Sequence, residues 1–439
     1  MEPPYPNVHP SAPDGNHSEY RSVYGHGDGE EPVNADAAAL VHASPGPCYN
    51  GLRNNIPTPV MRTTLMDWPE GTPDYISHDK VEQYIQDLAF RTGAHDRIQY
   101  STRVESTLRS AGDREHHMRK REWSFDAVIV ATGRYHDPRI PDVPGLKKWK
   151  EQLLNGILHS KSYRSPEPFR NKRVFLVGSG VSALDIAREV VGVAKETYQS
   201  ARNGKFDLPA GMFASGVKRV GPVDSFVHKT GTTRGQVVLV DGHVVDDVDV
   251  VILCTGYITS YPFLGQHQAP DLPKEDADDN TIITSDGCIT HNLHKDIFYI
   301  PDPTLAFVGV PYHASAFSLF DFQAAVVARV LSGLAELPSQ EQMRIEYNAR
   351  KALIAEGGAA FHSLMKRDVE YMEELQDWVN IEAARLEHEP MSAIDDKWVD
   401  RYHAFVEEMN GRRWASSGEA QDIPFVGEAL RDSRVVVSA

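Results

Sequence analysis

The stretch VFLVGSGVSALDIA, residues 174–187, constrains the fold of this chain more than any other. Four consecutive apolar residues predict a buried strand, two glycines follow, and the first turns of a helix come next. Gly178 permits a tight turn, Gly180 lets the backbone approach a pyrophosphate, and Ala183 lets helix and strand pack closely. A pyrophosphate would lie at the positive end of the helix. The stretch therefore predicts a dinucleotide-binding unit, with contacts from Gly178, Ser179, Gly180, Val181, Ser182 and Ala183.

The strand after this helix bears on which dinucleotide binds. An acidic residue roughly 20 positions after the glycines usually binds the ribose hydroxyls of NAD. In ETYQSARNG, Glu196 falls early in the strand, whereas Ser200 and Arg202 lie near its end. A hydroxyl and a guanidinium suit a 2′-phosphate better than a free ribose, so the sequence predicts NADPH. The alternative is that Arg202 is only a surface arginine.

A second feature is an internal repeat of the form D-x-V-I-x-x-T-G. It occurs as DAVIVATG at residues 126–133 and as DVVILCTG at residues 249–256. Both copies follow short strand-like runs and end in Thr-Gly, which suggests two related nucleotide-binding units. Coincidence between short apolar strands is the alternative. Because the second copy has a glycine turn upstream of it, the first copy should have one too.

Composition limits the class of protein. The chain has 439 residues, of which 41% are hydrophobic, so it can form two domains with a sizeable core. A formal net charge of −17 argues against nucleic acid or an anionic membrane as the main partner. Cys48, Cys254 and Cys288 lack metal-ligand spacing and indicate reduced thiols. No apolar run reaches the roughly 18 residues of a membrane span, and no signal peptide follows Met1, so a cytoplasmic protein is expected.

Periodicity predicts the remaining elements coarsely. Ser77 should cap an amphipathic helix whose apolar face comprises Val81, Tyr84, Ile85 and Leu88. A helix is also expected over roughly 366–388, with charged faces typical of a surface helix. The other predicted elements are strands in RIQYSTRVESTLRS (97–110) and REWSFDAVIVATG (121–133), and a hairpin with its turn at Asp241-Gly242, followed by a buried strand, in GQVVLVDGHVVDDVDVVILCTG (235–256).

Just upstream of the glycine turn, LLNGILHSKSYR resembles the signature of the flavin-containing monooxygenases, F-x-G-x-x-x-H-S-x-x-Y-R/K. The matching residues are Leu154 in place of Phe, Gly156, His159, Ser160, Tyr163 and Arg164. NGLRNNIP is similar to the family's L-R-T-N-(L/I)-P segment, with Asn54 in the Thr position and Asn55 matching the Asn. ATGRYHDPRIPDVPGL and PTLAFVGVP also follow the family pattern. The resemblance covers residues from about 45 to 335, and in the family the signature histidine belongs to a linker rather than acting as an acid or base.

The resemblance implies a monooxygenase that uses FAD, NADPH and O₂. NADPH docks on the glycine turn and passes a hydride to FAD, and the reduced flavin reacts with oxygen to give a C4a-hydroperoxide. NADP⁺ stays bound and shields that intermediate from water. An amine nitrogen or the sulfur of a thiol or sulfide then attacks the distal oxygen. Few protein acids or bases are needed, which agrees with a sequence that shows no obvious triad or metal cluster.

The resemblance also implies which residues contact the flavin. Asn55 is the candidate catalytic residue, because its amide can donate and accept hydrogen bonds beside the flavin and the nicotinamide ribose. The alternative is an ordinary loop asparagine ahead of Pro57. Further expected FAD contacts are the Val104 backbone, Thr132 and Gly133 at a strand end, and Asp321 and Gln323 at the opening of a helix, where capping is the alternative.

The implied fold is α/β, with two dinucleotide-binding, Rossmann-like domains. The NADPH domain, residues 165–260, is expected to be inserted into an FAD domain made of residues 1–164 and 261–439. The family's FAD domain opens with a strand, G-x-G-x-x-G and a helix. The only candidate, YGHGDGEE with Gly25, Gly27 and Gly29, has no preceding apolar strand and is followed by Pro32. An N-terminally incomplete FAD domain is therefore expected, either from truncation or in a genuinely shortened protein.

Three rival classes stay open at this point. A Baeyer–Villiger monooxygenase carries a related signature ending H-T-x-x-W-P, whereas this chain reads HSKSYR. A disulfide reductase of the same architecture needs a redox cysteine pair of the C-x-x-C type, which the sequence lacks. A non-catalytic NADP-binding remnant is the third class. The substrate and the oligomeric state are not encoded in any pattern that we can interpret.

Overall fold

The computed structural model describes residues 45–100, 102–108, 123–152, 156–204, 207–228, 231–353 and 361–417. Its helices are α1 (His78–Arg91), α2 (Leu146–Gln152), α3 (Val181–Val190), α4 (Ala316–Leu331), α5 (Gln340–Leu353), α6 (Asp368–Arg385) and α7 (Asp396–Ser417). Its strands are β1 (Val128–Val130), β2 (Asp137–Pro138), β3 (Ile157–His159), β4 (Arg173–Val177), β5 (Glu196–Ser200), β6 (Val217–Val220), β7 (Val223–His228), β8 (Gly235–Leu239), β9 (Val244–Val248), β10 (Val250–Leu253), β11 (Tyr257–Ile258), β12 (Gln268–Ala269), β13 (Ile283–Thr284), β14 (Leu293–His294), β15 (Phe298–Tyr299) and β16 (Leu305–Phe307).

The described residues form two compact α/β units. Unit 1 comprises residues 45–49 and Ile140–Gly256, and unit 2 comprises the described residues of Asn50–Arg139 and those from Tyr257 onward. The main segment of unit 1 is thus inserted between two segments of unit 2. It includes β3, which lies N-terminal to the boundary expected at residue 165. Which unit takes which cofactor stays a prediction. Gly25, Gly27 and Gly29 lie outside the described residues, as does Leu154 of the signature.

Unit 1 is built on a five-stranded parallel sheet with the order β3-β10-β4-β5-β6. A parallel sheet is normally covered on both faces, and its central strands are correspondingly apolar. Phe175 belongs to a core cluster with residues of α2, β7 and β8, whereas Leu176 belongs to another with the apolar face of α3. This arrangement confirms the strand, glycine turn and helix predicted at 172–190.

The predicted hairpin is also confirmed. Strands β8 and β9 pair antiparallel, and β7 completes a three-stranded sheet in unit 1. The turn lies at Asp241-Gly242, where Gly242 has φ +85°, a backbone conformation that glycine adopts without strain. The buried strand expected after the hairpin is β10, whose four residues are all buried.

Unit 2 combines a mixed sheet, β1-β16-β15-β14, with a helical core. Strands β1 and β16 are parallel, and the other two pairs are antiparallel. Helix α6 confirms the helix expected near 366–388, but it is not a surface helix. Seven of its residues are buried, including Tyr371 and Leu375, which belong to a core cluster shared with α4 and Trp398 of α7. Its many charged residues obscured the apolar stripe that packs inward.

Two predictions in unit 2 were wrong in part. No strand forms over 98–100 or 102–108, where Ile98, Tyr100, Val104 and Leu108 are all exposed and bury no alternating face. Helix α1 begins after Ser77 as predicted, yet Tyr84 is its one buried residue and Ile85 is exposed. Within the described ranges, no helix combines the length and hydropathy needed to cross a bilayer.

Candidate functional site

The turn between β4 and α3 is the best-defined candidate site in unit 1. Gly178 has φ +118°, and a Cβ at this position would lie 2.3 Å from the carbonyl oxygen of Cys254 at the end of β10. Its N–H donates to the Ser200 carbonyl (3.1 Å). No residue with a side chain fits here, because the turn must pass directly against β10. Gly178 is therefore required by the fold itself.

Gly180 differs from Gly178, since its φ is −90° and no atom lies within 4 Å of the position where a Cβ would be. It is the N-cap of α3 and offers no side-chain capping bond. The N–H groups of the first helical turn, from Val181, Ser182 and Ala183, have no acceptor within the helix. The space above Gly180 and these N–H groups fit an anionic group such as a pyrophosphate. Ala183 is fully buried and lets α3 pack on the sheet.

Ser179, the middle residue of the turn, is almost completely buried and engaged within unit 1. Its hydroxyl donates to the Leu208 carbonyl (3.2 Å), and its own carbonyl accepts from the Leu208 N–H (2.8 Å). The Leu208 carbonyl also accepts a hydrogen bond from Nη1 of Arg219 on β6 (2.8 Å). The side chain of Ser179 thus stabilises the turn.

Gln199 is a second support of the turn, and sequence reasoning missed it. Its side chain is fully buried, and Nε2 donates to the carbonyls of Gly178 (2.8 Å) and Ser200 (2.7 Å). The sequence did contain one indication, which is the residue type: a glutamine in a buried strand needs hydrogen-bond partners.

The two residues expected to bind a 2′-phosphate occupy different environments. Ser200 is buried, and its hydroxyl donates to the Gly221 carbonyl (2.8 Å). Arg202 is exposed, its backbone N–H donates to Asp207 (3.0 Å), and no described residue accepts a hydrogen bond from its guanidinium. The guanidinium is therefore available to a phosphate. A contact from Ser200 would require its hydroxyl to accept rather than donate, and both roles stay predictions.

Glu196, the acid that falls early in this strand, is paired within the protein. It forms ion pairs with Arg173 on β4 and with Lys218 on β6 (2.5 Å to the lysine). The Lys218 hydrogen bond is the main influence that holds the pKa of Glu196 below its usual range. This carboxylate is committed to the sheet.

The signature histidine joins two motifs within unit 1. Nδ1 of His159 accepts the Lys161 N–H (3.1 Å), so Nε2 carries the proton and donates to the carbonyl of Gly256 (3.0 Å), the last residue of the second D-x-V-I-x-x-T-G copy. Burial lowers the pKa of His159 to about 4. A neutral imidazole with both nitrogens engaged has a positioning role.

The tyrosine and arginine of the signature also make defined contacts. Tyr163 donates its hydroxyl proton to Glu189 on α3 (2.5 Å), and Tyr49 donates to Asp185 one turn earlier (3.0 Å). Arg164 donates to the carbonyls of Lys161 and Tyr163 (2.7 and 2.8 Å) and to that of Gly46 (3.0 Å). The signature therefore holds α3 and the 45–49 segment within unit 1.

In unit 2, Asn54 and Asn55 have opposite roles. Asn54 donates from Nδ2 to the carbonyls of Ile56 (2.7 Å) and Asp74 (2.8 Å), and its Oδ1 accepts the Ile76 N–H (2.6 Å). Asn55 is exposed, and no described residue forms a hydrogen bond with its side chain. Asn54 shapes the loop, and the role of the exposed Asn55 at the flavin stays a prediction.

Thr132 and Gly133 lie where β1 ends, and both are exposed. The next residue, Arg134, places its guanidinium 4.1 Å from the centroid of the Tyr312 ring and donates to the Val310 carbonyl (3.4 Å). Burial raises the pKa of Tyr312 to about 12, which keeps this ring neutral. The repeat thus ends, at Gly133 as at Gly256, in a positive-φ glycine after a parallel strand. Arg134 and Tyr312 were not predicted.

A buried ionic cluster holds the segment behind Tyr312. The Tyr312 N–H donates to the carbonyl of His362, and Nδ1 of that imidazole contacts Asp296 (2.8 Å). Arg350 binds the same carboxylate through two nitrogens (2.8 and 2.9 Å). Burial would raise the pKa of Asp296, but the charge of Arg350 and the hydrogen bond from His362 hold it well below its usual range. Since 54 to 66 residues separate the partners, no local sequence signal could have revealed this cluster.

Asp321 and Gln323 do not open a helix, because α4 begins at Ala316 and both residues lie in its second turn. Asp321 accepts hydrogen bonds from the N–H (2.8 Å) and hydroxyl (2.7 Å) of Thr64. Gln323 is fully buried, accepting the Gly309 N–H (3.0 Å) and donating to the Tyr371 hydroxyl (2.8 Å). The capping alternative is therefore wrong for both. Their predicted contact with FAD stays untested, and the same holds for the backbone of the exposed Val104.

Among the described residues, no three histidine, cysteine or acidic side chains converge as a metal site would require. The predicted cofactor residues instead fall into two sets. The glycine turn, Ser200 and Arg202 lie together in unit 1, whereas the flavin candidates Asn55, Val104, Thr132, Gly133, Asp321 and Gln323 lie in unit 2. In unit 1 the candidates lie around the ends of β4 and β5, whereas in unit 2 only Thr132 and Gly133 follow a parallel strand, and Asp321 and Gln323 lie within α4.

Comparison with known proteins adds a family-level result. A family model described as flavin-binding monooxygenase-like matches residues 48–216 and 206–387. The flavin-containing monooxygenase ustF2 of Aspergillus flavus is 39% identical over 392 residues, which covers 83% of this chain and 78% of that protein.

Solved structures are similar over most of the chain. S-allyl-L-cysteine S-oxygenase from Allium sativum matches with a TM-score of 0.63 and 26% identity, covering 88% of this chain and 84% of that one. OTEMO in complex with FAD and NADP matches with a TM-score of 0.55 at 13% identity, covering 78% of this chain and 91% of that one, a likeness of fold alone. The predicted α/β fold with two Rossmann-like domains is confirmed.

Proposed function

The chain belongs to the flavin-containing monooxygenase family, and from this premise we propose that it uses NADPH and O₂ to oxygenate the nitrogen or sulfur of a small molecule. The observation that carries the proposal is the turn at Gly178–Gly180. It combines open space above Gly180 with the uncapped N-terminus of α3, in a geometry suited to a dinucleotide.

Particular residues would hold the two cofactors. The backbone N–H groups from Ser179 to Ala183 would bind the pyrophosphate of NADPH, and the guanidinium of Arg202 would bind the 2′-phosphate. FAD would contact unit 2, with the amide of Asn55 and the exposed strand end at Thr132 and Gly133 as the candidate positions. When bound, NADPH supplies a hydride, and FAD supplies the reaction with oxygen.

The overall reaction balances without a covalent bond to the protein and without a catalytic acid or base from it. A sulfide, NADPH, O₂ and a proton give a sulfoxide, NADP⁺ and water, while an amine gives the corresponding N-oxide or hydroxylamine. What the chain itself must do is bind the cofactors, orient them and exclude water. His159 and Tyr163 of the signature, which are neutral and engaged within unit 1, suit that positioning role.

Sulfur oxygenation is favoured within the proposal by the likeness to the Allium sativum S-oxygenase. A ketone oxygenation of the Baeyer–Villiger type has support only from likeness of fold at low identity, and the HSKSYR signature argues against it.

The proposal is tested with the purified 439-residue chain, supplied with FAD and NADPH and offered a small sulfide, a tertiary amine and a cyclic ketone in parallel. We expect retained flavin, NADPH consumption that depends on O₂, and sulfoxide or N-oxide as product. An ester or lactone from the ketone alone would assign the Baeyer–Villiger reaction instead. NADP⁺ binding by a colourless protein that consumes no oxygen would leave the chain as a dinucleotide-binding remnant.

A further inference from the structure

Two side chains from neighbouring strands support the glycine turn from one face of the sheet. Gln199 of β5 and Arg219 of β6 are register partners in a parallel pair, so they project on the same side. Nε2 of Gln199 donates to the Gly178 carbonyl (2.8 Å), and Nη1 of Arg219 donates to the Leu208 carbonyl (2.8 Å). Leu208 in turn exchanges two hydrogen bonds with Ser179 (2.8 and 3.2 Å).

We propose that Gln199 and Arg219 are positioning residues that hold the turn in the shape that receives a dinucleotide pyrophosphate. This inference rests on the proposed function, since it assumes that a dinucleotide binds there. A turn of Gly-Ser-Gly has little conformational preference of its own, and its geometry must come from outside. The two donors supply it: Gln199 holds the Gly178 carbonyl directly, and Arg219 holds Ser179 through Leu208.

The environment of these donors strengthens the contacts. Gln199 is fully buried, and a hydrogen bond in a low-dielectric interior is stronger than one in water. Arg219 is half-buried and packs its guanidinium 5.7 Å from the centroid of the Phe213 ring. Nη1 of the guanidinium donates to the Leu208 carbonyl, and the group lies over the Phe213 ring. Arg219 therefore stabilises the turn indirectly, through Leu208.

Positioning and direct phosphate contact predict different selectivities. An arginine that contacted the 2′-phosphate would contribute to the binding of NADP⁺ alone, because NAD⁺ lacks that group. A residue that shapes the pyrophosphate turn affects both dinucleotides by the same factor. The ratio of the two dissociation constants therefore separates the two roles.

The experiment measures the binding of NADP⁺ and of NAD⁺ to the full chain by titration calorimetry, with a thermal melt of each variant. We expect Arg219→Met to weaken both dinucleotides about tenfold, as the loss of one charge-assisted hydrogen bond implies. Arg219→Lys, which keeps a charged donor, should restore most of the affinity. Lys218→Met removes the neighbouring cation, which pairs with Glu196, and should bind both dinucleotides as the wild type does.

Each other result counts against the inference. Unchanged binding by Arg219→Met, or a loss confined to NADP⁺, would overturn it. If Arg219→Met does not fold, Ser179→Ala decides the matter, because it removes the other donor to the Leu208 carbonyl; no loss of affinity there would overturn the inference too. A wild-type chain that binds neither dinucleotide would contradict the proposed function rather than the role of these two side chains.

Discussion

At the scale of single residues, adjacent positions with the same side chain perform different tasks. Asn54 makes three hydrogen bonds, two of which join the loop to residues 74–76, whereas the side chain of Asn55 makes none with the described residues. The family resemblance points to Asn55 as the residue at the flavin, and its side chain is exposed. Its neighbour satisfies the backbone and leaves it exposed.

We therefore expect Asn55→Ala to fold with wild-type stability and to bind NADP⁺ normally, but to form less oxygenated product per NADPH oxidised. The amide that can donate and accept at the flavin would be gone. Asn54→Ala is the matched variant. It should lower the free energy of unfolding by about 1–3 kcal/mol, because partly buried partners lose their hydrogen bonds. Product formation and NADPH oxidation are measured together, and unchanged coupling in Asn55→Ala would remove its assigned role.

The preference for NADPH over NADH is predicted to depend on Arg202. Arg202→Ala should raise the KM for NADPH by about 10- to 150-fold, the equivalent of roughly 1.5–3 kcal/mol for a hydrogen bond to a charged group, and leave the KM for NADH nearly unchanged. Arg188→Ala, an exposed arginine on α3 that pairs with Asp185, controls for the loss of a positive charge. Equal effects on both cofactors would show that Arg202 does not read the 2′-phosphate.

At the scale of elements, the two glycines of one turn have different surroundings. Gly178 passes within contact of β10, so its requirement comes from the sheet. Gly180 has open space around it, so the fold itself leaves room for a side chain there, and its role at a pyrophosphate stays a prediction. The sequence does not distinguish a glycine that the packing requires from one that a ligand would require, because both are simply glycine.

The two glycines can be separated by substitution. Gly178→Ala should destabilise unit 1 by more than the roughly 1–3 kcal/mol of a strained positive φ, because its Cβ would also clash with the Cys254 carbonyl. Gly180→Ala should melt as the wild type does and yet bind NADP⁺ poorly. Thermal melts and calorimetric titrations of both variants provide the comparison. Normal affinity in Gly180→Ala would mean that no pyrophosphate approaches there.

At the scale of the whole molecule, buried neutral histidines set how stability depends on pH. Burial lowers the pKa of His159 and of His291 to about 4 and that of His294 to about 3. In the unfolded chain these three histidines are protonated near pH 6.5, whereas in the folded chain they are protonated only at a much lower pH. Each histidine's contribution is therefore fully present above pH 6.5 and is lost as the pH falls toward the folded value.

Between pH 7.5 and pH 5, the free energy of unfolding should fall by about 2 kcal/mol for each such histidine. His159→Gln, which keeps a donor for the Gly256 carbonyl, should remove one histidine's share of that slope. Denaturant unfolding at a series of pH values measures it, and His243→Gln, at an exposed position, controls for the loss of an imidazole. A wild-type slope in His159→Gln would contradict the assignment.

The sequence by itself determined the βα unit around Gly178, the β8–β9 hairpin, the long helix near 368–385, the family and the residues that match its motifs. These depend on local patterns, namely apolar runs, turn residues and spacing within one element. The strand prediction was wrong over 98–100 and 102–108, where the alternating residues pair with no other strand.

The tertiary structure alone decided which polar residues are supports and which remain open to a ligand. Gln199, Arg219 and Gln323 hold backbone groups 11 to 21 residues away, and Asp296 pairs with Arg350 and His362 at separations of 54 and 66 residues. The physical reason is that a buried polar group must find its partner wherever the fold brings one. A local sequence pattern lies within one element, whereas the partner of a buried polar group can lie far away in the sequence.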